Sequence, residues 1–473
     1  MTSRCSIVAV CLMLVAGGTK AAPPQVEDAN ILTVTPGCVM DDGTVIPPRE
    51  ERGLMYPGRI PATAVTLGPD GVELPFDTRA NPSNRLQLII MGDGYTAGQQ
   101  ATFQANATTT INSFFNAEPF KTYKNLFNVV RVEVISNVSG VSGDPTADVS
   151  RVTPLQMRYW CSGTERLLCV NTSAAISYAS NAPYGWDQIL TLANSSKYGG
   201  AGYSSQNVGT VAGGNSLAAD IAIHEMGHSM GDLADEYTYG GPTTYTGGER
   251  PEANSSIYPA ATQTAQSRKW YRWIGVNNSS WDGLHNSFEG SSYSQLGIYR
   301  PTNNSMMRAL QRPFNLVSAE KLIIELYKIV RPIDDATPQI TLTAADSVFV
   351  DVVQPTQPLS IEWYLDNVLV ASNVASVDLD QFVLRGGASQ LRVRVRDNTA
   401  WVRDEAARTA WMTQERTWNL NIPACPADLN DDRVVDDADF VLFAAAYELF
   451  ACIAGAPCIA DFNLDGFVDD TDF

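Results

Sequence analysis

Histidine is almost absent from this chain, with three residues in 473. Basic charge is scarce as well: 32 Lys and Arg stand against 51 Asp and Glu, a formal charge of −19. That balance excludes nucleic acid and anionic membrane surfaces as partners, because both would repel the chain at long range. After residue 21 no apolar run is long enough to span a bilayer, so no transmembrane segment is expected. Low-complexity segments are missing too. The apolar fraction of 44% suits packed globular domains, and the length calls for about two to four of them. The acid is unevenly placed. Residues 425–473 hold twelve Asp and Glu against one Arg, a net of −11, which leaves −8 for the 424 residues before them. Oxygen-seeking cations are the partners such a tail suits.

The N-terminus, "MTSRCSIVAVCLMLVAGGTKAAPPQ", has one Arg, an apolar run from Cys5 to Ala16, and small residues up to Ala21 and Ala22. This is the anatomy of a secretory signal covering residues 1–21, which predicts a secreted protein, extracellular or held at the cell surface. Cys11 lies inside the apolar run, which argues against a lipid anchor. Export would place Cys38, Cys161, Cys169, Cys425, Cys452 and Cys458 in an oxidising compartment. Cys161 is expected to pair with Cys169, and the other four have the numbers for two further bridges.

Residues 22–84 are rich in Pro and Gly and read as an extended lead-in with a few short strands. From Arg85 the texture changes. "RLQLIIMGDGYT" predicts a buried strand entering a turn, "ATFQANATTTINSFFNAEPF" a helix, "NLFNVVRVEVIS" a second strand and "WDQILTLANSSKYGG" a third. "SLAADIAIHEMGHSMG" predicts another helix, with Ser216 as its N-cap candidate. Strand, helix, strand, strand, helix is the order of an α/β (α+β) layer structure. "SAEKLIIELYKIVRPIDD" adds an amphipathic helix stopped by Pro332, which closes a domain over residues 85–332. Alternating runs separated by turn residues then predict an antiparallel, Ig-like β-sandwich over residues 333–423, with Trp363 in its core.

Two of the three histidines stand in His224-Glu225-Met226-Gly227-His228, an H-E-x-x-H motif on the predicted helix. Residues four apart share a helix face, so both imidazoles can reach one zinc ion. Glu225 projects beside them, where it can take a proton from a water on the metal as that water attacks a polarised carbonyl. A third protein ligand is needed. Gly231 offers an exit from the helix, and Asp235 is the expected donor beyond it, with Asp232 and Glu236 as competitors. Asp232 follows the glycine immediately and has little chain in which to turn back; Asp235 has three more residues of reach. His285, in "DGLHNSFEG", reads as a surface loop residue.

"HEMGHSMGDLADEY" resembles the H-E-x-G-H-x-x-x-x-L-x-D-E-Y signature of the bacterial IgA peptidase family, metallopeptidase family 64. "IIMGDGYT", "FFNAEPFKTYKNLFNVVRVEVIS", "KYGG", "EGSSYSQLGIYRPTNNSMMRAL" and "FNLVSAEKLIIELYKIVRPID" are similar to family segments in the same order, across about residues 85 to 332. The resemblance implies a metzincin-like zinc endopeptidase acting on protein or peptide. Zinc would be bound by His224, His228 and Asp235, with Glu225 as catalytic base. Met307, in Ser305-Met306-Met307, would form the methionine turn beneath the metal. Cys38, in "PGCVMDDG", invites comparison with a propeptide thiolate that blocks a zinc site; an ordinary disulfide is the favoured reading.

In the tail, "DLNDDRVVDDAD" and "DFNLDGFVDDTD" repeat the pattern D-x-N-x-D-x-x-V-x-x-x-D. Positions 1, 3, 5 and 12 of such a loop surround Ca²⁺ with oxygens. Asp428, Asn430, Asp432 and Asp439 would hold one ion, and Asp461, Asn463, Asp465 and Asp472 the other. The Asp at position 12 and the helix-like "FVLFAAAYELF" resemble dockerin modules, which implies a cohesin-like or cell-surface partner. Arg433 stands where a loop of this kind normally has Gly, and the second copy reads as cut short at Phe473. The expectation is therefore a secreted zinc endopeptidase with a β-sandwich and a dockerin-like calcium-binding tail. From another class comes an inactive adhesion or scaffold protein, in which the sandwich and tail act alone.

Overall fold

The computed structural model describes residues 31–33, 50–52, 62–67, 83–239, 243–382, 387–422, 426–430, 435–450, 458 and 460–472. The signal segment 1–21, Cys38, Cys425, Cys452, Asp432 and Arg433 lie outside the described residues, as does most of the 22–84 lead-in. Strands β1 (Ala62–Leu67), β2 (Leu86–Asp93), β3 (Phe127–Val134), β4 (Gln188–Ala193), β5 (Gly200–Tyr203) and β6 (Val208–Ala212) form one sheet in the order β1-β3-β2-β4-β6-β5. The four inner strands are parallel, and β1 and β5 run antiparallel at the two edges.

Helices α1 (Gln100–Phe114), α2 (Thr172–Ala179), α3 (Ala218–Ser229) and α4 (Leu316–Ile329) complete this layer. Side chains alternate across a strand, so each inner strand feeds two cores. Leu88 and Ile90 join Leu190, Leu192, Ile221 and Met226 on one face. Ile89 and Met91 join Val130, Val132 and Ile189 on the other. Burial on both faces is why "LIIM", residues 88–91, reads as an unbroken apolar run. Ser216 does not cap α3. Leu217 is the N-cap residue with no side-chain cap bond, and Asn215, one position before the serine, accepts the Leu217 N–H at 2.9 Å instead.

Beyond α4 lie two antiparallel sheets. β7 (Ile333–Ala336), β8 (Ser347–Val352) and β11 (Ser376–Asp378) form one in the order β7-β8-β11. β9 (Ser360–Leu365), β10 (Val368–Ser372), β12 (Gly387–Arg396) and β13 (Thr413–Ile422) form the other in the order β10-β9-β12-β13. Trp363 is buried, as expected, and stacks on Trp418 with ring centroids 6.0 Å apart. In the tail, α5 (Asp437–Leu449) carries an Asp436 capping box. Cys161 is bonded to Cys169, as expected, and Cys458 is also disulfide-bonded. Among the described residues no helix is long and apolar enough to cross a membrane.

The β-rich region shares one continuous apolar core with the α3 and α4 side of the large sheet. Where they meet, Asp397 Oδ2 accepts hydrogen bonds from the Tyr123 hydroxyl at 2.8 Å and the Tyr327 hydroxyl at 2.9 Å, all three residues being buried. Truncating Asp397 to Ala would strand both phenols. Urea unfolding should show a loss of about 3 kcal/mol, the cost of orphaned buried donors.

Candidate metal centre and cleft

Helix α3 packs against the edge strand β5 because that strand offers no side chains in the way. A Cβ on Gly202 would lie 2.7 Å from Glu225 Oε2, and one on Gly200 would lie 2.5 Å from Ile221 Cγ2. On the other side of the helix, a Cβ on Gly227 would lie 2.5 Å from Met307 Sδ, so the buried methionine sits directly under the motif.

The helix ends at Ser229 with Met230 as its C-cap, and the left-handed residue in the turn that follows is Asp232, not Gly231. Asp232 has φ +48° and donates its N–H to the His228 carbonyl at 3.0 Å, a left-handed turn of the kind Asp tolerates. Gly231 serves close packing: a Cβ there would lie 2.8 Å from the Gly227 carbonyl oxygen and 2.9 Å from Leu322 Cδ2. Past this turn the chain is held extended. Ser292 N–H donates to the Asp235 carbonyl at 2.9 Å and Glu236 N–H to the Met307 carbonyl at 2.7 Å. Neighbours in an extended segment point to opposite sides. Asp235 accordingly faces the histidines, and Glu236 faces away into the core.

Three donor atoms converge. Asp235 Oδ1 lies 3.0 Å from His224 Nε2 and 3.2 Å from His228 Nε2, and the two Nε2 atoms are 3.2 Å apart. The far ring nitrogens are spoken for: His224 Nδ1 is 3.0 Å from the Met306 carbonyl and His228 Nδ1 is 2.6 Å from the Leu233 carbonyl. A carbonyl only accepts, so Nδ1 carries the proton in each ring and a neutral imidazole turns its Nε2 lone pair inward. Two lone pairs and a carboxylate oxygen this close repel one another unless a cation joins them. A tetrahedral ion with ligands at about 2.0–2.1 Å needs ligand-to-ligand edges of about 3.3 Å, close to the three observed. Among the described residues this is the one grouping of three or more such donors placed to share a metal ion.

The surroundings tune these groups. Until a cation binds, a proton takes its place: Asp235 raises His228 against the pull of burial, and burial alone would raise Asp235, but the protonated His228, with His224, holds it well below the usual carboxylate range. Tyr293 donates its hydroxyl to Asp235 Oδ2, and the Tyr237 ring stacks on His224 at 6.4 Å. Burial raises Glu225, opposed by His224 and His228, which moves it toward the range of a useful proton acceptor. Glu236 is fully buried and accepts from Asn254 Nδ2 and Asn315 Nδ2, both at 2.9 Å, and from Ser305 Oγ at 2.7 Å. Burial pushes it up to about 7 against the pull of those donors. The centre opens into a cleft of about 660 Å³ that also touches Arg166, Tyr198, Gly202 and Arg308.

Residues 74–285 match the family model described as IgA Peptidase M64. That match supports the family, and with it a peptidase of metallopeptidase class whose substrate is protein. An inactive scaffold is not favoured. No curated protein matches the chain.

The structure corrects a further reading and adds residues that sequence reasoning missed. His285 is not on the surface: it is fully buried, and its Nε2 accepts the Leu316 N–H at 2.9 Å at the start of α4. Its Nδ1 lies 3.1 Å from the Gly283 carbonyl. The short "DGLHNSFEG" segment looks like a loop because its apolar contacts come from afar, Trp273 among them at 6.2 Å. Missed altogether were Tyr293, the two orienting carbonyls, and the glycines of β5. In the tail, Asp439 accepts from the amides of Leu429, Asn430 and Asp436, and Asp472 from those of Phe462, Asn463 and Asp469. The two repeats thus share one register, while Asp461 accepts from Asp465 and Gly466 amides.

Gly202→Ala tests the approach of β5 to Glu225. The added methyl must displace the carboxylate, so kcat should fall by about a hundredfold, while metal content measured by atomic absorption stays at the wild-type value.

Proposed function

We propose that the chain is a secreted, metzincin-like zinc endopeptidase in which His224, His228 and Asp235 hold the metal and Glu225 is the general base. One observation carries the reading: two inward Nε2 lone pairs and a carboxylate oxygen lie 3.0–3.2 Å apart beside the Glu225 carboxylate, at the floor of an open cleft. Zinc, when bound, supplies a Lewis acid that polarises the scissile carbonyl and makes water easier to deprotonate. Glu225 takes the proton of the attacking water and returns it to the leaving amine nitrogen. Met306 and Leu233 carbonyls keep both imidazoles in the ligating tautomer, and Tyr293 fixes the second oxygen of Asp235. Met307 acts as the methionine turn by packing under Gly227. Secretion follows from the N-terminal pattern of residues 1–21.

We further infer that residues 425–473 form a dockerin-like module that binds two Ca²⁺ and a cohesin-like or cell-surface partner. The shared register of Asp439 and Asp472 supports this, as does the repeated spacing of Asp428, Asn430 and Asp432 with Asp461, Asn463 and Asp465. Carboxylates so crowded repel one another until a cation arrives. Limited proteolysis of the full chain should therefore cut the tail faster in EGTA than in Ca²⁺; equal rates would refute calcium binding.

Glu225→Gln should abolish peptide hydrolysis, a loss of about 10³-fold or more, with zinc stoichiometry unchanged, since an amide cannot accept the proton. Asp235→Ala should lose zinc on dialysis, whereas Glu236→Gln should retain it and lose stability. Substantial turnover by Glu225→Gln, or tight zinc in Asp235→Ala, would overturn the assignment.

A further inference from the structure

We propose that Arg166 makes the cleft selective for substrates carrying a carboxylate next to the scissile bond, and that its guanidinium binds that carboxylate directly. The proposal rests on the peptidase reading above and deepens it by naming a substrate class.

Arg166 is placed with care. It lies inside the loop closed by the Cys161–Cys169 disulfide. Its carbonyl accepts the Gly200 N–H at 3.3 Å, and the Gly200 carbonyl accepts the Leu168 N–H at 3.5 Å, so this loop is laced to the start of β5 beside Glu225. From there the exposed side chain reaches the cleft that holds His224, Glu225 and His228, and donates to the Tyr239 hydroxyl. Tyr239 in turn stacks on Tyr293 with centroids 5.7 Å apart, and Tyr293 donates to Asp235. The guanidinium therefore sits one layer of phenols away from the metal ligands.

The charge around it is out of keeping with the chain. In a protein of net charge −19, a guanidinium would ordinarily find a carboxylate. Among the described residues Arg166 forms no ion pair, and neither does Arg308, which lines the same cleft and donates to the Asn303 carbonyl at 2.9 Å. Of the cleft's own acids, Asp235 faces the histidines, Glu252 accepts from Arg250 Nε at 3.0 Å, and Glu225 attracts Arg166 only from beyond ion-pair distance. Arg166 is steadied by the hydroxyls of Tyr239 and Tyr237. A planar fork so held, with N–H groups to spare and no carboxylate in contact among the described residues, matches an incoming carboxylate.

The test uses fluorogenic peptide pairs that differ only in Glu for Gln at each position flanking the cleaved bond. Zinc-loaded wild type should cleave one Glu peptide with kcat/KM roughly tenfold above its Gln partner, the difference lying in KM. Arg166→Gln should bring that ratio near one, and Arg166→Lys should restore part of it. A ratio of one in wild type, an unchanged ratio in Arg166→Gln, or an equal loss on both peptides would overturn the proposal, the last by making Arg166 a structural prop. If wild type cleaves no peptide, the peptidase reading fails by itself. Fluorescence anisotropy with Glu225→Gln still decides Arg166: tighter binding of the Glu peptide, lost on adding Arg166→Gln, supports it, and equal binding overturns it.

Discussion

The fully buried Glu236 carboxylate is the point from which the His224, His228 and Asp235 cluster is assembled. Its three donors come from three separate segments: Asn254 from a loop, Ser305 from the turn beside the His224 ring, and Asn315 from the start of α4. Each of those does a second job. Asn254 also brackets Ala234, accepting its N–H and donating to its carbonyl, both at 2.8 Å, which holds the backbone just before Asp235. The Ser305 turn supplies the Met306 carbonyl that fixes the His224 tautomer. Asn315 caps α4 by accepting the Ser318 N–H at 2.9 Å. A charge taken out of water must be satisfied completely or it unfolds its surroundings. The requirement to satisfy Glu236 therefore orders the ligand strand, the orienting carbonyl and the supporting helix together.

This also explains why Asp235 and Glu236 cannot exchange roles. The two side chains leave an extended backbone in opposite directions, one toward two imidazoles and one toward amide and hydroxyl donors. The environments push the two carboxyls apart, with Asp235 held low by the histidines and Glu236 raised to about 7 by burial. Carboxyl groups at adjacent positions thus become the proposed metal ligand on one side and a structural anchor on the other.

The parts legible in the sequence are those with local periodicity or fixed spacing. The helix carrying H-E-x-x-H, strands β2, β3 and β4, the alternating strands after Pro332 and the Cys161–Cys169 pair all announce themselves within a dozen residues. Strand β5 does not. "GAGY" has no side-chain pattern to read, because its role is to leave room for Glu225, and a glycine reveals that only when the opposing atom is known. The helix exit is hidden for a related reason. Gly231 reads as a turn residue, yet its missing Cβ is used for contact with Gly227 and Leu322, and the left-handed position falls to Asp232. His285 and Tyr293 act through partners 31 and 58 residues away, and no local signal carries such pairings.

Helix α4 is where the chemistry of the cleft and the packing of the β-rich region become one problem. Its N-terminus is tied to Glu236 through Asn315 and to His285 through the Leu316 amide. Four residues on, Glu320 accepts from the Trp273 indole at 2.6 Å and from the Asp404 amide at 2.8 Å, so the same helix grips the segment that follows β12. Near its C-terminal end, Tyr327 donates to Asp397. Arg403 closes the contact by lying over the Trp273 ring at 4.3 Å while donating to the Arg272 carbonyl at 2.6 Å. A helix fixed at both ends by buried polar bonds cannot shift without breaking several of them at once. The β-rich region therefore acts on the candidate metal centre as a brace: by denying α4 alternative positions it holds Asn315, and through Asn315 the buried Glu236 carboxylate beside Asp235.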